Sequence, residues 1–124
     1  MSEQNFSITI ALFDSHLKDE GLQNATETLR SDLQVEEGVQ EVEFIPMETV
    51  DPNAKGIGGF LLGQLKASVT VKSLKALVQS LGNNLFGRTI EIKAEGNGKK
   101  LEIKLSRPED IDKVLPQIDD FING

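Results

Sequence analysis

The chain has 124 residues, of which 38% are hydrophobic and 27% charged, the profile of one soluble domain over 1–124 able to bury roughly two thirds of its unfolded surface. With no cysteine and a net charge of −7, disulfides and thiolate metal sites are excluded, and nucleic acid is disfavoured as the main partner because phosphate binding needs clustered positive charge. The polar start Met1-Ser2-Glu3-Gln4-Asn5 does not resemble a secretion signal, and no apolar run reaches the ~20 residues that span a bilayer, so the expected location is cytoplasmic.

Phe6, Ile8, Ile10 and Leu12 alternate with Ser7, Thr9 and Ala11, the period of a strand with one buried face. Leu22, Ala25, Leu29 and Leu33 recur at steps of three and four, which predicts an amphipathic helix over about 20–34. Gly38 stops it. A second strand over 39–45 turns Val42 and Phe44 to one side and Glu41 and Glu43 to the other, and Pro46 ends it.

Asp51-Pro52-Asn53 marks a turn. Ile57, Phe60, Leu61 and Leu65 follow at helical spacing, and Ser68-Val69-Thr70-Val71 interrupts it, so the pattern predicts two helices meeting at a bend, with Thr70 as N-cap of the second. That second helix carries Leu74, Leu77, Val78, Leu81 and Leu85 on one stripe, and Gly87 closes it.

Asn97-Gly98 suits a two-residue type I′ hairpin. Pairing Gly96 with Lys99 sets Ala94 opposite Leu101, Ile92 opposite Ile103 and Ile90 opposite Leu105 on one side. The other side then pairs Glu95 with Lys100, Lys93 with Glu102 and Glu91 with Lys104. A slip of one residue destroys both sets, so the pairing is strongly specified. Ser106-Arg107-Pro108-Glu109 reads as a capping box opening a last helix with the stripe Ile111, Val114, Leu115, Ile118 and Ile122. Pro116 is expected to bend or divide that helix.

The expected fold class is α+β: a two-layer α/β sandwich on a mixed four-stranded sheet, helices mainly on one face, in the order β-α-β-α(bent)-β-β-α. The first two strands, joined by a helix, suit a parallel right-handed crossover. Four strands at ~4.8 Å make a sheet roughly 19 Å wide, enough for about two helices of ~10 Å. One element is therefore in surplus, and the glycine-rich helix at 56–66 is the candidate.

Charge points to the same place. From Pro52 to Ile90 there is no aspartate or glutamate, yet Lys55, Lys66, Lys72, Lys75 and Arg88 all fall there, a +5 segment in a −12 surround. It opens with Gly56-Ile57-Gly58-Gly59-Phe60-Leu61-Leu62-Gly63, in which Gly59 and Gly63 at i, i+4 allow close backbone approach. A phosphate-loop reading fails, since no G-x-x-x-x-G-K-[ST] is present. His16, the only histidine, has Asp14, Asp19 and Glu20 nearby but no metal-ligand spacing, and a solvated loop histidine is the expectation. Glu36-Glu37, Glu109-Asp110 and Asp119-Asp120 are sequence neighbours, which point about 100° apart on a helix and do not converge as an acid–base pair. The chain is expected not to be an enzyme, with no catalytic, metal or cofactor-binding residues and no cofactor.

The order of these features resembles the effector-associated constant component proteins of bacterial conflict systems: an acidic strand–helix–strand lead, a loop with Pro46 and Pro52, the glycine-rich run from Lys55 to Gly63, the leucine helix from Leu74 to Leu85, and the hairpin about Asn97-Gly98. The resemblance implies a non-catalytic partner of peptidase-type effectors or their regulatory NTPases. The expected function is thus a protein-interaction module, binding a protein partner or itself as a homodimer through Lys55, Gly56, Gly59, Phe60, Gly63 and Lys66. The alternative is a membrane-acting component that inserts the glycine-rich helix 56–66, whose flanking lysines suit an anionic interface.

Overall fold

The structure, a computed structural model, describes residues 5–47, 56–96 and 98–123. Its elements in chain order are β1 (Asn5–Phe13), α1 (Asp19–Gln34), β2 (Val39–Pro46), β3 (Gly56–Ile57), β4 (Phe60–Thr70), α2 (Val71–Asn83), β5 (Thr89–Gly96), β6 (Lys99–Leu105) and α3 (Asp110–Asn123). Six strands form one sheet in the order β2-β4-β1-β5-β6, with β3 beside the start of β4, and every pairing is antiparallel.

β1 lies between β4 and β5, so its alternation decides which way the whole sheet faces. Phe6, Ile8, Ile10 and Leu12 are buried on one side, next to Leu65, Ala67 and Val69 of β4 and Ile90, Ile92 and Ala94 of β5. All three helices contribute to the core built on that side, through Leu33, Leu74, Leu77, Val78, Leu81, Val114, Ile118 and Phe121. The other face carries Ser7, Thr9, Lys66, Ser68, Lys93 and Glu102 and no helix among the described residues. A sheet covered on one side was expected, and antiparallel sheets tolerate it because alternate residues can be polar.

Two expectations are corrected here. The segment 57–66 is not a helix; it is the β3–β4 hairpin and most of the longest strand, and Ser68, Val69 and Thr70 finish that strand instead of marking a bend between helices. The apolar run from Ile57 to Leu65 fits either period over so few residues, and pairing with both β1 and β2 decided the matter. The sheet is also not mixed and four-stranded. β1 and β2 do run parallel, but β4 enters between them and is antiparallel to both. β4 and β5 flank β1 in the same way. These two interleaved split β-α-β units make a ferredoxin-like core, extended by β6 and α3. The helix expected to be in surplus is therefore part of the sheet itself, as β3 and β4.

The hairpin pairing of β5 with β6 holds at all seven positions, from Ile90 with Leu105 to Gly96 with Lys99. Asn97 lies outside the described residues, and Gly98 has the positive φ (73°) that such a turn requires. The capping box is corrected: Asp110, not Glu109, receives the backbone N–H groups of Ser106 (2.8 Å) and Arg107 (3.0 Å). Pro108 at the third place of the motif moves the helix start along, and Ile111 N–H bonds the Pro108 carbonyl. Pro116 sits exposed within α3 without dividing it. Thr70 precedes α2, but its hydroxyl bonds the Ser73 Oγ (3.0 Å) instead of a backbone N–H.

Adjacent residues of β4 should differ sharply on mutation if this side assignment is right. Leu65→Ala, at a fully buried position, is expected to cost about 2–5 kcal/mol. Lys66→Ala, on the open face, is expected to stay within about 0.5 kcal/mol. Urea unfolding of the two variants measures both.

Candidate functional site

The six residues singled out from the sequence do not form one surface. Lys55 lies outside the described residues. Gly56 begins β3, and Gly58 and Gly59 make its turn with φ of 59° and 86°. This is the I′ geometry that only glycine adopts without strain at both places. A side chain on Gly58 or Gly59 would meet nothing, so that turn projects from the fold. Phe60 follows it and packs on Phe44 of β2, ring centres 5.5 Å apart, while the Arg30 guanidinium lies 5.8 Å from the Phe44 ring centre. Met47 N–H bonds the Gly59 carbonyl (2.9 Å), which ties the end of β2 to the turn.

Gly63 points the other way. It is buried, has φ of 72°, and a Cβ there would lie 2.8 Å from the Leu12 carbonyl and 3.3 Å from Leu22 on α1. Its N–H is received by the Gln23 side chain of α1 (2.9 Å). The close approach foreseen for Gly59 and Gly63 is thus real only at Gly63, and it serves the packing of α1 on β4. Lys66 stands apart on the open sheet face, between Glu43 of β2 and Thr9 of β1. The insertion reading of 56–66 loses its helix by the same correction. Among the described residues, no helix is long and apolar enough to cross a membrane.

Antiparallel pairing gathers at one end of the sheet the close of β1 and β2, the start of β4 and β5 and the end of α2. Four of the five large exposed apolar residues among those described are there: Phe13 (49% exposed), Met47 (37%), Phe60 (38%) and Phe86 (81%). Phe86 is the most exposed of the four and the most constrained. Leu85-Phe86-Gly87-Arg88 is closed by an Arg88 N–H to Leu85 carbonyl bond (2.9 Å), with φ of 51° at Phe86 and 79° at Gly87. A phenylalanine in this left-handed region is strained, at a cost of order 1 kcal/mol. The turn sends Leu85 into the core and Arg88 onto Asp14, where Nε meets Oδ2 at 3.0 Å.

Between α1 and α2 lies a cleft of about 290 Å³ lined by both helices, with Leu12 and Ile90 from the sheet. Sequence reasoning missed it, although one signal was present: Leu85 belongs to the α2 stripe, so Phe86 had to face away from that core. Asp14 closes the neighbouring corner. The His16 backbone N–H (2.9 Å), then the Arg88 guanidinium, hold its carboxyl below the ordinary 3.8. The Ser106 and Arg107 N–H groups do the same for Asp110. The His16 ring itself is exposed. Among the described residues, no three His, Asp or Glu side chains gather as a metal set.

No family model matches this chain, and no curated protein does. One similar solved structure is the crystal structure of a "putative dioxygenase" from Nostoc punctiforme PCC 73102, at 14% identity and a TM-score of 0.42, covering 91% of this chain and 94% of that one. The expectation that the chain is not an enzyme is countered by that protein's name and is not carried further. At that distance no activity, cofactor or residue passes from it to this chain.

Three outcomes follow from this geometry. Gly63→Ala should destabilise by about 1–3 kcal/mol through the positive φ and the Leu12 carbonyl, so it is unsuited to testing association. Phe86→Gly should be neutral or stabilise by up to about 0.5 kcal/mol, because strain relief of order 1 kcal/mol is largely offset by glycine's entropy cost of about 0.5–1 kcal/mol. Both are read from thermal or urea unfolding. The lowered Asp14 and Asp110 carboxyls contribute stability present above pH 3.8 and lost as pH falls through their folded values. Asp14→Asn and Asp110→Asn should therefore each flatten the acid limb of a stability–pH profile below that point.

Proposed function

We propose that this chain is a protein-interaction module that engages a protein partner or a second copy of itself through the sheet end built from β3, the start of β4 and the end of β2. One observation carries the reading: Met47 and Phe60 remain partly exposed beside a glycine turn that projects from the fold, with Phe13 at the same end. Apolar side chains gathered at a protruding edge mark contact surfaces more often than chance exposure does. Gly56, Gly59 and Phe60 belong to this surface. Gly63 supports it from within by fixing the bend of β4 against α1.

The pathway reading, an accessory component of a bacterial effector or conflict system that meets a peptidase-type effector or regulatory NTPase, is supported by the order of sequence features alone. Light scattering coupled to size exclusion, run over a wide concentration range, tests the second-copy form directly. Met47→Ser with Phe60→Ser is expected to convert an associating protein to a monomer with an unchanged circular dichroism spectrum. Unaltered association in that folded double variant sinks this surface. A wild-type protein monomeric throughout would leave a different protein as the occupant.

A further inference from the structure

The α1–α2 cleft is independent of that hairpin surface and carries a chemistry of its own. Its volume of about 290 Å³ lies at the small end of the ~300–1,000 Å³ typical of small-molecule sites. The floor is apolar, with Leu12, Leu29, Leu33, Leu81, Leu85 and Ile90. The charge on its rim is one-sided. Asp32 lies in the last turn of α1 and Glu36 in the turn just after it, and Arg88, the only cation lining the cleft among the described residues, is already paired with Asp14. Glu36 receives a hydrogen bond from Ser80 Oγ (3.3 Å), which ties the two walls together. Asp32 has no hydrogen bond or ion pair among the described residues.

We propose that this cleft binds a small amphipathic cation, a primary ammonium carried on an apolar or aryl body. The apolar body would cover the leucine floor, and the ammonium would meet the uncommitted Asp32 carboxylate, with Glu36 adding to the field. An anion is repelled by the same two carboxylates. A neutral ligand would strip water from Asp32 and give nothing back. Phe86 supplies the second, separate observation. A strained turn holds a large aromatic ring in solvent at the mouth of a cleft, where it gains no core burial. Strain of this kind clusters at ligand clamps and other functional sites, and an aromatic face beside an anionic rim attracts ammonium through its quadrupole.

The test titrates phenethylammonium, 2-phenylethanol and 3-phenylpropionate into the full chain at pH 7 and low salt, following methyl and amide NMR signals. The expected result is binding in that order of strength, with shifts centred on Leu29, Leu81, Leu85 and Phe86. Asp32→Asn, at an exposed position, should weaken the ammonium about tenfold, the scale of one charge-assisted hydrogen bond, and leave the alcohol unchanged. Phe86→Gly should weaken binding without lowering the melting temperature, a pairing that a merely structural residue would not produce. Equal affinity for the three probes, full ammonium affinity in Asp32→Asn, or shifts confined to Met47 and Phe60 would each overturn the proposal.

Discussion

β1 is the constraint on which the rest depends. It is hydrogen-bonded on both edges, and its four inward residues, Phe6, Ile8, Ile10 and Leu12, are each at most 5% exposed. A strand between two neighbours cannot shift register without turning that set outward. Through direct pairing it aligns Leu65 and Val69 of β4 and Ile90 and Ile92 of β5, so one alternating segment orients the floor beneath all three helices. The Phe6 ring reaches across this floor to Phe121 of α3, centroids 4.7 Å apart, and thereby seats the last helix as well.

The interleaving of the two crossovers explains why the interesting surfaces share one end of the molecule. Each strand–helix–strand unit skips a strand, so the termini of β1, β2 and α2 and the starts of β4 and β5 meet there. Chain reversals at that end use positive-φ residues: Gly58 and Gly59 in one turn, Phe86 and Gly87 in another. The first turn frees a hairpin with half-exposed Met47 and Phe60; the second frees Phe86. Three glycines in these four places relieve the backbone. The fourth place is taken by an aromatic residue, Phe86, at the mouth of the cleft.

The two surfaces differ in what they offer. The hairpin end is apolar and protruding, which suits a flat macromolecular contact. The cleft is recessed, apolar below and anionic above, which suits a small ligand. Neither depends on the charge asymmetry between the central segment and the rest of the chain. Lys66 is spread onto the open sheet face opposite Glu43, and Lys75 is paired with Asp119 at 3.1 Å. Basic residues close in sequence were thus distributed to different faces of the fold.

Local pattern by itself determined β1, α1, the α2 stripe, the β5–β6 register and the last helix, because in each the apolar period is long or the cross-strand pairs agree with one another. It also determined that the sheet would be covered on one side. The tertiary structure alone decided the state of 56–70, where glycines and a short apolar run satisfy helical and strand periods equally, and pairing with β1 and β2 supplied the backbone partners that settled it. It alone decided that β4 would enter between β1 and β2, since strand order depends on contacts between residues tens of positions apart. The cleft was hidden for the same reason: Asp32 and Phe86 are 54 positions apart in the chain, and only the packing of α1 and α2 over a common sheet brings them to one opening.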